Sequence, residues 1–280
     1  MARRKTKSEQ SFYLFDFDDN IMFLQTPVLL RNTKTGKSKS VSTHKFAEIR
    51  EVIGALGEWA DYELFEDTYS RFRDIPADKL RKNQRQYFVA DVAKEIAKKT
   101  TKWQAPSWPI FQYACEKQRP LAIVTARGHS PETIRAGIRL LYEKQLIKKE
   151  PNWLSIYAVG NDDVRQQLRG GADEDEAKRL GVLDAAGKDP TSLYKRIAIR
   201  KIVDSSIDDY GPELEHRFGM SDDDPGNVDL IIKAMCECKK KYLDKRFFVI
   251  NTHHGEWVKL EVFPVDYPVT SRRIREKYFV

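Results

Sequence analysis

Five apolar runs, each about the length of a strand, constrain this chain more than any other feature. They are Phe12 to Phe15, Leu121 to Val124, Ile156 to Val159, Arg217 to Met220 and Phe247 to Ile250. They read as continuous rather than alternating with polar residues. A strand with one wet face alternates, so continuous runs indicate strands covered on both faces, as in a parallel sheet flanked by helices. Helical patterns lie between them. In "SPETIRAGIRLLYEKQLI", Ser130 can cap and Pro131 takes the first helical position. "DPTSLYKRIAIRKIVDSS" starts at Asp189 and Pro190, and "VDLIIKAMCECKKKYL" is a third. Strands alternating with helices predict a doubly wound α/β domain with a mainly parallel sheet of five or more strands. The late stretch "RFFVINTHHGEWVKLEVFP" reads as the fifth strand, a turn and one further strand.

The spacing is uneven. More than a hundred residues separate the first two runs, whereas a crossover needs only about 12. The excess starts with "TPVLLRNTKTGKSKSVST", which reads as a hairpin over 26–43 with a Thr-Gly-Lys turn. Helical patterns follow over about 43–62 and 82–99, and "WQAPSWP" marks a break. The expected organisation is a core of residues 11–42 and 105–264 with a small, mostly helical insert at 43–104. Residues 1–10 read as a disordered basic tail and 265–280 as an extension without an assigned role. A second irregular segment, "NDDVRQQLRGGADEDEAKRLGVLDAAGK", follows the third strand.

The formal charge of +7 and a pI near 9.1 lean toward anionic partners such as phosphorylated metabolites or nucleic acid. No run approaches the length of a membrane span, so no membrane partner is expected. The basic start "MARRKTKSEQ" is followed by an apolar stretch that Asp16, Asp18 and Asp19 interrupt, which does not suit a signal peptide. Three cysteines, Cys115, Cys236 and Cys238, give no disulfide framework. Cys236 and Cys238 stand at i and i+2 of a helix and do not face each other, so no metal pair is read there. A cytoplasmic location is the expectation.

In open α/β sheets, ligands bind beyond the carboxyl ends of the strands. After the first run stand Asp16, Asp18, Asp19 and Asn20. After the second come Thr125, Ala126 and Arg127, and after the fourth, Asp222, Asp223, Asp224 and Asn227. Carboxylates this close repel, and burial makes them costlier, unless a cation, a shared proton or a lysine compensates. Lys188, Lys195 and Lys201 are candidates. Lys195 shares its helical face with apolar Ala198, Ile199 and Ile202, and a lysine on a buried stripe needs a reason.

The order "FYLFDFDDN", "LAIVT", a helical lysine and "FGMSDDDPGN" resembles the haloacid dehalogenase-like superfamily, in its phosphatase branch. The resemblance spans about residues 11 to 230. It implies a Rossmann-like sheet with a flap and a cap inserted after the first strand. It also implies a Mg²⁺-dependent phosphomonoester hydrolase, with Asp16 as nucleophile and Asp18 as general acid and base. Mg²⁺ would be held by the Asp16 carboxylate, the Asp18 backbone carbonyl and Asp222, with Asp223 or Asn227 in support. Thr125, with Ala126 and Arg127, would hold phosphate oxygens, and Lys195 would balance charge. Asp18 and the late acidic cluster distinguish this pattern from metal-free dehalogenases, and the chain order distinguishes it from response-regulator receivers. The expected substrate is a phosphorylated small molecule. Alternatives are a nucleic-acid end phosphatase using the basic, aromatic insert segments "TYSRFRDIP" and "RKNQRQYF", or an inactive scaffold of the same fold.

Other candidates have plainer readings. Arg127 and His129 either touch substrate or belong to a solvated loop. Lys34, Lys37 and Lys39 either guide an anion or decorate a solvated hairpin tip. His253 and His254 read as strand-end residues rather than a metal pair.

Overall fold

The computed structural model describes residues 8–170, 191–255, 257–263 and 271–274. All five apolar runs are strands of one sheet. β1 (Ser11–Phe15) is followed by β2 (Val28–Asn32), β3 (Ser38–Val41), α1 (Thr43–Ile49), β4 (Tyr62–Glu63), α2 (Tyr87–Ile96) and α3 (Trp108–Glu116). Then come β5 (Pro120–Thr125), α4 (Pro131–Glu143), β6 (Asn152–Ala158), α5 (Asp162–Arg169) and α6 (Thr191–Tyr210). The chain continues through β7 (Arg217–Asp222), α7 (Pro225–Lys241), β8 (Arg246–Asn251), β9 (Val258–Val262) and β10 (Ser271–Ile274).

The main sheet has seven strands in the order β10-β9-β8-β7-β1-β5-β6. The five from β8 to β6 are parallel, while β9 runs antiparallel to β8, and β10 to β9. The continuous apolar runs arise because each face has its own core. Phe12, Leu14, Ala122 and Val124 pack with α6 and α7. Phe15, Leu121 and Ile123 pack with α2, α3 and α4 on the other side. From β1 the chain moves outward through β5 to β6, then returns to place β7 and β8 on the other flank. The order therefore reverses between β1 and β7, the switch point at which open α/β sheets place a ligand-binding crevice.

Local signals explain where the helices start. Ser130 accepts from the Thr133 N–H (3.2 Å) with Pro131 behind it, and Asp224 accepts from the Gly226 N–H (2.7 Å) ahead of α7. Each supplies an acceptor to a helix end that otherwise leaves N–H groups unpaired.

The hairpin expected over 26–43 is present as the antiparallel pair β2 and β3. The segment after it is less helical than expected: its β4 joins the hairpin in a separate three-stranded sheet, in the order β3-β2-β4. It has its own small core of Val28, Leu30, Val41, Ile49 and Trp59. The helical pattern over 43–62 shortens to the seven residues of α1 and a single turn at Gly57–Trp59. Gly54 and Gly57, both at positive φ, punctuate it. α2 belongs to the main domain instead. Phe88 and Val92 join the second core, and Phe88 fits against Gly137 of α4, where a Cβ would lie 2.4 Å from the Phe88 ring.

Among the described residues, no helix is long and apolar enough to cross a membrane. Lys188 and most of the irregular segment after α5 lie outside the described residues, as do residues 1–7 of the expected tail and most of the C-terminal extension.

Candidate active site

Register builds the site. β1 and β7 are neighbours with Phe15 opposite Ser221, so the next residues, Asp16 and Asp222, emerge side by side at the switch point. The Asp16 N–H donates to the Ser221 carbonyl (3.0 Å), extending the ladder by one bond. Asp16 and Asp222 are buried. Lys195 is also buried, on the stripe of α6 shared with Ala198, Ile199 and Ile202. Its ammonium donates to Asp16 Oδ1 (3.2 Å) and Asp222 Oδ2 (3.0 Å). Lys201 is directed elsewhere, donating to the Gln167 carbonyl (3.3 Å) at an exposed position.

Asp223 completes the acidic group. Asp16, Asp222 and Asp223 each offer a carboxylate oxygen, all within 4.8 Å of one another. Asp222 Oδ1 accepts from the Asp224 N–H (3.1 Å) and the Asn227 amide (3.2 Å), which orients its carboxylate. Lys195 brings one positive charge to three carboxylates. Burial pushes the Asp16 carboxyl up to about 8, Lys195 pulls against this, and Asp222 and Asp18 add to it. Burial, with Asp16 and Asp222 nearby, pushes Asp223 up to about 9. Burial alone would lower the Lys195 pKa, but Asp16 and Asp222 outweigh it and hold the ammonium charged. The set is composed of hard oxygen donors, three carboxyl groups to one ammonium, and burial and like charge keep protons on two of them until a cation takes their place. That donor chemistry suits a small divalent cation such as Mg²⁺.

Asp18 is not part of this trio. Its two oxygens accept from Arg127 Nε (2.7 Å) and Nη2 (2.6 Å), a bidentate pair. Arg127 is buried, unlike a residue of a solvated loop. Its guanidinium lies between the rings of Phe72 and Phe88, 4.9 Å from each centroid. Nη2 also donates to Thr26 (2.8 Å), which donates to Asp91 (2.6 Å). Nη1 is buried with no hydrogen-bond partner among the described residues.

Thr125 is buried at the end of β5, beside β1, and Ala126 is exposed just beyond it. The loop that follows is held backbone to backbone. The Gly160 N–H donates to the Arg127 carbonyl (3.0 Å) and the Gly128 N–H to the Phe72 carbonyl (2.8 Å). A Cβ on Gly160 would fall 2.3 Å from the Ala126 carbonyl oxygen, so only glycine permits this approach. His129 is also fully buried rather than solvated, against Phe88, and neither ring nitrogen has a partner among the described residues.

Asn20 proves to be the hub of the crevice. Its amide donates to the carbonyls of Asp16 (2.9 Å) and Ser221 (3.1 Å), and to the Ser221 hydroxyl (3.0 Å). Its oxygen accepts from Ser107 (2.7 Å) and Thr252 (3.0 Å). One buried side chain thus fastens the ends of β1, β7 and β8 to the start of α3. Ser107, Thr252, Thr26 and Asp91 carry no motif in the sequence, and only their three-dimensional partners give them a role.

The segment after the small sheet's hairpin touches this end through α1. At one end of the insert helix α1, Thr43 donates to Asp19 (3.1 Å), and at the other Arg50 lies 3.9 Å from Asp224. Two of the three hairpin lysines serve the insert itself. Lys34 pairs with Asp61 (2.8 Å), and Lys39 sits 4.3 Å from the Trp59 ring centroid. His253 contacts the Asp223 carbonyl through Nδ1 (3.0 Å), behind the acidic loop.

Comparison with protein-family models, with curated proteins and with solved structures finds no match to this chain.

Proposed function

We propose that this chain is a Mg²⁺-dependent phosphomonoester hydrolase of the haloacid dehalogenase-like type, working through an aspartyl-phosphate on Asp16. The observation that carries this reading is the Lys195 bridge between Asp16 and Asp222, with Asp223 in the same group. A structural ion pair needs one carboxylate for one ammonium, whereas Lys195 bridges two, and a third carboxylate, Asp223, lies within 4.8 Å of both. Asp16, Asp222 and Asp223 would hold the cation, which would neutralise the incoming phosphate and let an anionic carboxylate approach phosphorus.

The chain's own groups divide the remaining work. An Asp16 oxygen attacks phosphorus as the bond to the leaving oxygen breaks. Asp18 gives that oxygen its proton. Asp18 then takes a proton from water, which attacks the same phosphorus, frees inorganic phosphate and restores Asp16. An acid–base group in this role contributes about 10²–10⁴-fold. Lys195 and the bound cation together would favour the ionised form of Asp16, and Thr125 with the backbone of 126–127 would hold phosphate oxygens. The small sheet and α1 act as the cap over the crevice.

The test is hydrolysis of a generic aryl phosphate with and without Mg²⁺, in the native protein and in Asp16→Asn. Metal-dependent release that disappears in the variant is expected. Metal-independent release that survives Asp16→Asn would sink the mechanism.

A further inference from the structure

We infer that the phosphoester entering this site is the phosphorylated end of a single-stranded nucleic acid, and that Arg71, Arg73, Arg81, Lys82 and Arg85 form the track for the chain behind it. The chemistry of this inference rests on the phosphatase reading above, whereas the recognition rests on a separate surface.

Between positions 71 and 85 the sequence holds six basic and two acidic residues. Arg71, Arg73, Arg81, Lys82 and Arg85 are exposed. Among the described residues none of the five is ion-paired, although exposed arginines elsewhere find carboxylates. Arg31 pairs with Glu63 (2.6 Å), Arg139 with Glu143 (3.3 Å) and Arg217 with Glu9 (2.9 Å). Asp74, next to Arg73, is turned inward to accept the Ser130 N–H (3.0 Å). Uncompensated like charge repels itself, and an anionic partner relieves that repulsion.

The two basic segments form one surface. Gln86 accepts from the Ile75 N–H (2.6 Å) and donates to the Ile75 carbonyl (3.1 Å), clasping 81–87 to 71–75. The Arg71 guanidinium lies 4.3 Å from the Tyr87 ring centroid. This surface abuts the candidate active site. Arg73 bridges to Gly128, and the Phe72 carbonyl receives the Gly128 N–H, in the loop just after Thr125. Tyr69, 44% exposed, stands edge-on beside Phe72 and offers a ring on which a base can stack. A small phosphoester would use one of these cations. Several unpaired cations leading away from a phosphate site match a repeating phosphate backbone, and stacking on one ring suits unpaired bases.

The test uses Asp16→Asn, so that binding is read without turnover. The probes are fluorescein-labelled 12-nucleotide oligothymidylates, phosphorylated at the 5′ end, at the 3′ end or at neither. A duplex and an oligouridylate of the same length accompany them. Anisotropy is followed from 50 to 200 mM salt. Single strands are expected to bind more tightly than the duplex, with a steep salt dependence. Adding Arg73→Gln, Arg81→Gln and Arg85→Gln should weaken binding at least tenfold. It should also flatten the log–log salt slope by about 2, near 0.7 for each phosphate that the variant leaves unneutralised. Lys144→Gln with Lys149→Gln, exposed at and beyond the C-terminal end of α4, is the control for charge alone.

In the native protein, phosphate release from a phosphorylated single strand should exceed that from an aryl phosphate. If the aryl phosphate is hydrolysed but oligonucleotides bind equally with and without the three arginines, or not at all, this inference falls and the phosphatase reading stands. If the arginine-dependent track binds strands but neither probe releases phosphate, the substrate assignment falls together with the phosphatase reading.

Discussion

The guanidinium of Arg127 grips both oxygens of Asp18 at 2.7 and 2.6 Å while it lies between Phe72 and Phe88. The proposed acid–base carboxylate is therefore held by a residue that the loop after β5 and the segment after β4 fix together. Arg127 acts on the reaction through Asp18, as a positioning residue. Arg127→Lys keeps a charge but loses the two-pronged geometry. We expect it to lower kcat about tenfold or more for an alkyl phosphate, whose leaving oxygen needs a proton, and much less for an activated aryl phosphate. Equal losses on both substrates would assign Arg127 a merely structural role.

Lys195→Met retains the length of the side chain and removes the ammonium that bridges Asp16 and Asp222. Breaking a buried ion pair from one side typically costs about 3–5 kcal/mol. In a chelator, thermal unfolding of the variant should therefore shift down by many degrees. Excess Mg²⁺ should recover part of the loss, because a cation replaces the missing charge. A melting temperature insensitive to both the substitution and Mg²⁺ would count against a cation site.

The acidic trio carries a pH signature. Burial and like charge raise Asp16 to about 8 and Asp223 to about 9, from an ordinary value of 3.8. Near neutral pH these carboxyls hold protons that a metal must displace. Mg²⁺ binding is thus expected to release protons, and its affinity to rise with pH until about 9. Without metal the sign reverses for stability. A folded pKa above the unfolded one stabilises below pH 3.8, and the benefit is lost as pH rises through 8 to 9. Calorimetric titration in buffers of different ionisation enthalpy measures the protons released, and a count of zero at pH 7 would refute the coupling.

His129 is the reverse case. Burial, reinforced by Arg127, lowers its pKa from 6.5 to about 2, and both ring nitrogens lack partners among the described residues. The unfolded chain takes up a proton below pH 6.5 and the folded chain does not, so stability falls as pH drops below that value. His129→Phe keeps a ring beside Phe88 and removes two unpaired polar atoms, each costing about 1–3 kcal/mol when buried. We expect a higher melting temperature, with a larger gain at about pH 5 than at about pH 7.5. An equal gain at both values would show that His129 does not titrate as its burial requires.

The sequence by itself determined the five core strands, their alternation with helices and the carboxylates at strand ends. It also pointed to Lys195, because a charge at the i, i+3, i+4 and i+7 positions of an apolar stripe is visible locally. These features are written in periodicities that a few neighbouring residues carry.

Tertiary structure alone decided the rest. The pairing of β1 with β7 placed Asp16 beside Asp222 across about two hundred positions of sequence. The same kind of long-range pairing put Arg127 on Asp18, 109 residues away, and joined Asn20 to Thr252, 232 residues away. It also moved α2 from the expected insert into the main core, where Phe88 found Gly137. Hydrogen bonds and ring packing of this kind depend on which surfaces the fold brings face to face, and no local pattern of polarity encodes them.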